Sequence, residues 1–341
     1  MGRSLIKDME DFLIILRKMG GKMKKIKLLS VLGMVILLFA GCLSESDRAE
    51  RVLHKHLKAR YGEEFVIYGM GKRAGNVRRW YEAAVVYPKS YIGTRKENDS
   101  YYWGKGFVEL NDGMKGGDTY GGVLLNESAN EFYGKKLKEL FGENYLAVLD
   151  VGGYYEYTDF EKEMNKRKKS YEKSPNGMFP PISGGIYIFG RVENDKDREW
   201  YRTQIYEFIQ FMKETGTFEY VAIAINILDD RVLSKEFQEN EDLKQKLVLT
   251  GEKNKRKNVE YFRKERNRLM NKLPKQLTPC IRMEDINKTA VINSVEWSCY
   301  NNLLTTGLYS EKYIKSENLE EFYKIKKYDD ISDVIFTYEE Y

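Results

Sequence analysis

Histidine, the side chain used most often for acid–base catalysis near neutral pH, is scarce in this sequence. The chain has two, His54 and His56, two positions apart. On a helix this spacing places them on different faces, whereas zinc-binding pairs use positions i and i+4. Without further histidines, a His-based triad or a zinc hydrolase site is not expected. We interpret both as solvated helix residues and predict no metal site and no cofactor.

Carboxylates are the other candidate acid–base groups, and three of them follow patterns typical of buried strands. Asp150 comes directly after "YLAVL", and Asp229 and Asp230 come after "AIAINIL". Glycosidases use a pair of carboxylates that face each other, so a hydrolase acting on cell-wall glycan is one hypothesis. The ordinary interpretation of all three is a solvated strand end.

A glycine-rich stretch, "NDGMKGGDTYGG" at 111–122, precedes a helical pattern. Such turns can bind phosphate through their backbone amides. This one lacks the Gly-Lys-Ser/Thr ending of a P-loop and does not fit the dinucleotide-binding glycine pattern. We therefore predict a flexible connection from a hairpin to a helix.

Aromatic residues occur in three runs: "RRWY" at 78–81, "YYW" at 101–103 and "YYEY" at 154–157. Side chains alternate along a strand, so adjacent aromatics cannot all face the core. Exposed Tyr and Trp suit glycan stacking or a protein interface. The ordinary interpretation is cross-strand pairing that stabilises a sheet. The candidate binding surface consists of Trp80, Tyr101, Trp103 and Tyr155.

A thiol ends the most apolar part of the chain. Residues 28–40 carry no charge, "MKKIK" precedes them, and Ala40, Gly41 and Cys42 follow. Thirteen residues are too few for a typical membrane span but suit the core of a secretory signal. "LFAGC" resembles the lipobox of bacterial lipoproteins, although Phe39 replaces the usual aliphatic residue. The resemblance covers only the first 45 residues, and it implies cleavage before Cys42 and attachment of lipid, including palmitate, to its thiol.

The first 22 residues contain acidic positions that are unusual before a signal core, so Met23 is the expected start; otherwise a short helix from Met1 precedes the leader. The alternative to a cleaved leader is an uncleaved anchor helix. Outside the cytoplasm, Cys280 and Cys299 either form a disulfide or remain buried thiols.

Charge distribution argues against a nucleic-acid partner. Residues 1–41 hold eight Lys and Arg and three Asp and Glu, which leaves 49 of each sign in 42–341. A neutral chain with interspersed charges lacks the basic surface of a nucleic-acid binder. With 26 tyrosines and only six prolines, the composition predicts a folded body.

The elements that would position these residues alternate between helical and strand patterns. A helix at 45–64 precedes three strand patterns, a helix after Asn126 and a buried strand. Polar residues at 158–180 indicate a linker, and charged helical patterns follow from Ser234 to Pro274 and near the C-terminus. We predict an α+β fold with antiparallel sheets backed by helices and a helical C-terminal third. The predicted boundaries are a signal peptide at 1–41, a module at 42–157 and a second module at 181–341.

These patterns predict a lipid-anchored protein on the extracytoplasmic face of the cell membrane, in the cell envelope. Its partners are the bilayer, through acylated Cys42, and a protein or glycan. Binding without catalysis is the expected role; the alternatives are the glycan hydrolase and a membrane-attached immunity or inhibitor protein.

Overall fold

The computed structural model describes residues 44–74, 79–110, 113–153, 155–173, 181–234 and 302–336, and five single residues within 235–301. The chain divides into two compact units, Met1–Tyr120 and Gly121–Tyr341. Within the described residues, no helix is long and apolar enough to cross a membrane.

The described part of the first unit contains one α-helix and a five-stranded antiparallel sheet. Helix α1 (Glu45–Tyr61) precedes strands β1 (Phe65–Tyr68), β2 (Gly71–Ala74), β3 (Arg79–Pro88), β4 (Gly104–Glu109) and β5 (Lys115–Asp118). The long strand β3 pairs with β1 and β2 along one edge and with β4 along the other, and β4 pairs with β5.

Local sequence signals set both ends of α1, and the predicted helix there is confirmed. Ser44 and Asp47 form a reciprocal capping box, and Gly62 ends the helix with a φ of 79°. Leu53 and Leu57 are fully buried on the side facing the sheet. The helix lies so close that a Cβ on Gly106 of β4 would come within 2.6 Å of Leu53.

The second unit is a four-stranded sheet with helices. Helix α2 (Tyr120–Phe141) leads to strand β6 (Tyr145–Val151), helix α3 (Phe160–Lys173), strand β7 (Ile182–Gly190) and helix α4 (Asp195–Glu214). Strands β8 (Val221–Asp229) and β9 (Asn302–Tyr309) and the short helix α5 (Glu311–Ser316) follow. The strand order is β6-β7-β8-β9.

One face of this second sheet forms the core. Alternate residues of β8 are buried, beginning with Val221 and Ile223. They share a hydrophobic cluster with side chains of α2, α3 and α4, among them Tyr133, Phe160 and Phe208.

The predicted fold class is wrong in two respects. The second sheet is mixed, because β7 and β8 run parallel. Helix α4 carries the chain back across the sheet between them, and a helical crossover of this length is the ordinary connection for parallel strands. The described part of the C-terminal third is not mainly helical: β9 is a strand and α5 has six residues, although Glu236, Glu239, Arg268 and Lys288 are helical. The helix predicted near the C-terminus, at 314–328 with Ser316 as its cap, is wrong, because α5 ends at Ser316 and turns and irregular structure follow it. The charged segment from Ser234 to Pro274 lies almost entirely outside the described residues.

The predicted linker at 158–180 contains helix α3, whose charged sequence resembled a solvated segment. The division between the two units falls at Tyr120, at the start of α2. The glycine-rich stretch, predicted as a flexible connection, supplies strand β5 and the first turn of α2.

Candidate functional site

An aromatic cluster lies in the first unit, in the segment that joins β3 to β4. Pro88 ends β3, and three short 3-10 turns follow, at Lys89–Tyr91, Arg95–Asn98 and Ser100–Tyr102. The Asp99 carboxylate caps the third turn by accepting the backbone N–H of Tyr101 at 3.0 Å. Tyr101 and Tyr102 are therefore on a turn and not on the predicted strand. We call the five half-buried rings held here the Tyr101 cluster: Tyr87, Tyr91, Tyr101, Tyr102 and Trp103.

The rings of the Tyr101 cluster pack against one another at ordinary aromatic distances. Trp103 stacks on Tyr87 with centroids 6.3 Å apart, and its indole N–H donates to the Glu97 carbonyl at 3.1 Å. Tyr101 meets Tyr102 edge to face at 5.1 Å. These contacts orient the rings and leave each of them part-exposed.

A lysine completes the Tyr101 cluster. The Lys96 ammonium lies 4.9 Å from the ring centroid of Tyr91 and 4.8 Å from that of Tyr102, within cation–π range of both. Sequence reasoning missed Lys96, since only the turn geometry brings it between two tyrosines five and six positions away. The cluster therefore presents aromatic surface together with positive charge.

The four predicted aromatic residues do not form one surface within a single unit. Trp80 pairs with Glu109 at the far end of β4, while Trp103 immediately precedes the start of that strand. Tyr155 belongs to the second unit, where it covers the first turn of α2: a Cβ on Gly121 would lie 2.7 Å from its hydroxyl oxygen. Tyr101 and Trp103 alone belong to the Tyr101 cluster.

A buried carboxylate, that of Asp118 at the end of β5, is the centre of a polar network in the first unit. Its side chain is fully buried, and it accepts hydrogen bonds from four donors. These are His56 Nε2 at 2.8 Å, Arg60 Nη1 at 3.2 Å, the Tyr61 hydroxyl at 2.6 Å and the Tyr120 backbone N–H at 2.9 Å. Asp118 thus joins the last turn of α1 to the start of α2.

The two histidines have different environments. His54 lies 3.9 Å from Glu50 on the surface of α1, as expected for a solvated helix residue. His56 is instead held by Asp118, contrary to its predicted role as a solvated residue. The signal available in the sequence was the placement of His56, Arg60 and Tyr61 on one side of a helix, facing an aspartate between two glycine pairs.

Two of the three predicted strand-end carboxylates, Asp229 and Asp230, are paired with arginines. Asp229 is buried and accepts bonds from both the Nε and Nη2 atoms of Arg231. The hydrogen bond that the Arg231 guanidinium donates to Asp229 raises the pKa of Arg231. Asp230 accepts Arg191 Nε at 2.9 Å. Asp229 is therefore not the solvated strand-end residue that was predicted. Asp150 is exposed as predicted, and its carboxylate accepts a hydrogen bond from the Asn126 amide at 3.2 Å.

A second buried ion pair anchors the chain before α3. Glu163 accepts Arg167 Nε at 2.9 Å and the backbone N–H groups of Glu156 and Tyr157 at 2.9 and 3.1 Å. Burial raises the pKa of Glu163, but these backbone and guanidinium hydrogen bonds outweigh it and hold the pKa below its usual value.

A surface depression of about 500 Å³ lies beside this ion pair, and four lysines line it at helical spacing together with Glu156 and Tyr157: Lys162, Lys166, Lys169 and Lys173. Lys166 pairs with Glu156 at 2.8 Å. The depression is thus basic and has no facing pair of carboxylates among its lining residues.

The three cysteines, Cys42, Cys280 and Cys299, lie outside the described residues. In the parts of the chain that are described, no group of three or more His, Cys, Asp or Glu side chains could hold a metal ion.

Comparison with known proteins adds little. No protein-family model matches the chain, and no curated protein matches it. A similar solved structure is that of a DUF5037 family protein from Ruminococcus gnavus ATCC 29149, with 18% sequence identity and a TM-score of 0.30. The match covers 56% of this chain and 78% of that one. At this TM-score the similarity supports no conclusion about the fold or function of this chain.

Proposed function

We propose that the chain is a bacterial lipoprotein, anchored by lipid on Cys42 to the extracytoplasmic face of the cell membrane, whose folded part binds a partner. The observation that carries the anchor is the resemblance of "LFAGC", at 38–42, to a lipobox. Ser44 caps α1 only two positions after Cys42. Lipid on Cys42 would therefore hold the start of the first unit at the bilayer surface, with two or three acyl chains giving durable attachment.

The binding role is supported by the Tyr101 cluster. Its rings are half-buried, fixed by one another and by capped turns, and accompanied by the Lys96 charge. Rigid, part-exposed Tyr and Trp side chains contribute large contact area at low entropic cost, both to protein interfaces and to glycan stacking. The proposed ligand is accordingly a protein or glycan of the cell envelope.

The hydrolase alternative has weaker support. Retaining and inverting glycosidases need two carboxyl groups about 5–10 Å apart across a groove. Asp229 and Asp230 each have an arginine partner, and Asp229 is buried, which favours a structural role for both. An immunity or inhibitor protein would use the same aromatic surface with a protein as partner.

Intact-mass analysis of the full chain from native membranes tests the anchor. The wild-type protein is expected to begin at Cys42 and to carry a diacylglyceryl group, and Cys42→Ala to lack that group. A wild-type protein that still carries residues 1–41 and no lipid would refute the anchor and favour an uncleaved membrane helix.

Binding of the wild-type lipoprotein to isolated cell-wall glycan and to envelope protein fractions tests the aromatic surface. Tyr101→Ala is expected to weaken binding by about tenfold or more, as loss of a central aromatic contact does. Tyr157→Ala is the matched control, because Tyr157 is an exposed tyrosine of the second unit. Equal binding by both variants and the wild type would exclude the Tyr101 cluster as the binding surface.

A further inference from the structure

The basic depression of the second unit has no part in the proposed function. It lies along helix α3, has a volume of about 500 Å³, and is lined by eight residues: Glu156, Tyr157, Lys162, Asn165, Lys166, Lys169, Ser170 and Lys173. Four lysines and one glutamate give these lining residues a net charge of +3. A concave surface with an excess of one charge attracts ligands of the opposite charge.

The four lysines form one row along the outer side of α3. The buried residues Phe160, Met164 and Arg167 mark the inner side of this helix. Positions 162, 166, 169 and 173 follow the helical period, so they lie above one another on the outer side. With a rise of 1.5 Å per residue, the row is about 16 Å long. A single phosphate ion would contact only part of it, whereas several anionic groups in sequence could contact all of it.

Three of these lysines are available to a ligand. Lys166 is half-buried and pairs with Glu156 at 2.8 Å. Lys162, Lys169 and Lys173 are exposed, and none of their ammonium groups has an ion-pair partner in the described part of the chain. They can therefore contact an anion without first breaking an ion pair.

Four further carboxylates belong to this segment, and none of them lines the depression: Asp159, Glu161, Glu163 and Glu172. Glu163 is buried in its ion pair with Arg167. Glu161 and Glu172 lie about a quarter of a turn around α3 from the lysine row. Asp159 accepts the backbone N–H of Lys162 at 2.9 Å at the start of the helix. Apart from Glu156, the negative charges of the segment are thus on a different side from the row.

We propose that the basic depression binds a linear polymer with repeated phosphate groups. Lysine ammonium groups are mobile point charges with three donors each, so they can contact successive phosphates without a fixed geometry. Asn165 and Ser170 offer additional polar groups between the lysines. This site is separate from the Tyr101 cluster, and its binding chemistry does not depend on lipid at Cys42.

The lining residues favour such a polymer over a bilayer or a nucleic acid. Peripheral docking on a bilayer uses apolar side chains that enter the acyl boundary, but the described lining contains no aliphatic hydrophobic residue. Single-stranded nucleic acids bind through aromatic rings on which successive bases stack, and this lining includes one ring, that of Tyr157. Charge and concavity without stacking rings match a phosphate polymer.

Acetylation footprinting of the full-length chain tests the proposal. Lysines are acetylated with and without long-chain inorganic polyphosphate, and mass spectrometry measures the rate at each position. Polyphosphate should slow the acetylation of Lys162, Lys169 and Lys173 at least about threefold, because phosphate contacts cover their ammonium groups. Lys135 and Lys324, exposed lysines of the same unit outside the depression, should change little. Equal protection at all five positions would overturn the site.

Two triple variants separate the row from net charge. Lys162→Gln/Lys169→Gln/Lys173→Gln should weaken polyphosphate binding about tenfold or more at low salt and reduce its dependence on salt. Lys135→Gln/Lys324→Gln/Lys327→Gln removes the same charge elsewhere in the unit and should have a much smaller effect. Glu156→Gln should strengthen binding, because it removes the one carboxylate of the lining and releases Lys166. Equal weakening by both triple variants would overturn the proposal.

Other anionic probes identify the class of ligand. Orthophosphate at the same total phosphate concentration should give little protection of the row, since one ion spans only part of it. Equal protection by orthophosphate would overturn the polymer in favour of a single-ion site. Protection by phosphatidylglycerol vesicles or by single-stranded DNA, without protection by polyphosphate, would overturn it in favour of a bilayer or a nucleic acid.

Discussion

His56 Nε2 lies 2.8 Å from Oδ2 of Asp118, and the carboxylate it contacts is fully buried. This contact crosses 62 positions of sequence and ties the helix that follows the proposed lipid site to the last strand of the first unit. A buried carboxylate of this kind is stable only because Arg60, Tyr61 and the Tyr120 backbone also donate to it.

We predict that Asp118→Asn destabilises α1. The new amide nitrogen faces hydrogen-bond donors and cannot accept from them. The free energy required to open α1 should therefore fall by about 2–4 kcal/mol. Hydrogen exchange of the α1 backbone amides measures it. Asp150→Asn, an exposed position with one amide partner, should change stability by no more than about 0.5 kcal/mol. Equal exchange rates in the two variants would contradict the role assigned to Asp118.

Glu163 should make the second unit sensitive to acid. The pKa of its carboxylate is below the usual 4.5 because hydrogen bonds outweigh burial. Its stabilising contribution is therefore fully present above the unfolded value near 4.5 and is lost as pH falls through the lower folded value. Denaturant unfolding at a series of pH values should show this loss of stability in the wild type. In Glu163→Gln the free energy of unfolding should depend less on pH.

Glu163→Gln should also lower the free energy of unfolding near neutral pH by about 3–5 kcal/mol, since it leaves the Arg167 guanidinium buried without its charge partner. Glu161→Gln, on the exposed side of the same helix, is the control and should have little effect. If the two variants unfold alike, the pair does not stabilise the unit.

Tyr133→Phe should be nearly neutral. The Tyr133 hydroxyl is fully buried and has no hydrogen bond of ordinary geometry in the described structure, although Thr217 partly opposes the rise in pKa that burial causes. Removing a poorly bonded hydroxyl costs little, whereas Tyr133→Ala opens a cavity and should cost about 3–5 kcal/mol. Thermal unfolding of both variants separates the two contributions. If Tyr133→Phe lowers the free energy of unfolding by more than about 1 kcal/mol, Thr217 forms a full hydrogen bond with the Tyr133 hydroxyl.

Gly184→Ala should weaken the pairing of β6 with β7. Gly184 has a φ of +115°, and a Cβ there would come within 2.2 Å of the Val148 carbonyl oxygen. The expected cost is about 2–4 kcal/mol from backbone strain and displacement of the partner strand. Gly71→Ala, where nothing lies within 4 Å and φ is ordinary, is the comparison in the same denaturant titration. Similar unfolding midpoints for the two variants would mean that β6 moves away from the new methyl group without loss of stability.

The sequence alone determined those elements whose signals are local. The capping residue Ser44 and the terminating Gly62 delimit α1, and the alternation of apolar residues in "VAIAINIL" identifies β8, because capping and side-chain alternation depend only on neighbouring positions. The same local reasoning predicts the lipid site at Cys42, which lies outside the described residues.

Tertiary structure decided what depends on distant partners. The parallel pairing of β7 and β8 depends on which edge of the sheet α4 returns to. The predicted linker contains a helix whose buried Glu163 and Arg167 form an ion pair with each other. Asp118 could not be identified without the fold that brings four donors to one carboxylate. Burial of a polar group is favourable only where all its partners converge, and convergence over 62 positions is a property of the fold and not of the local sequence.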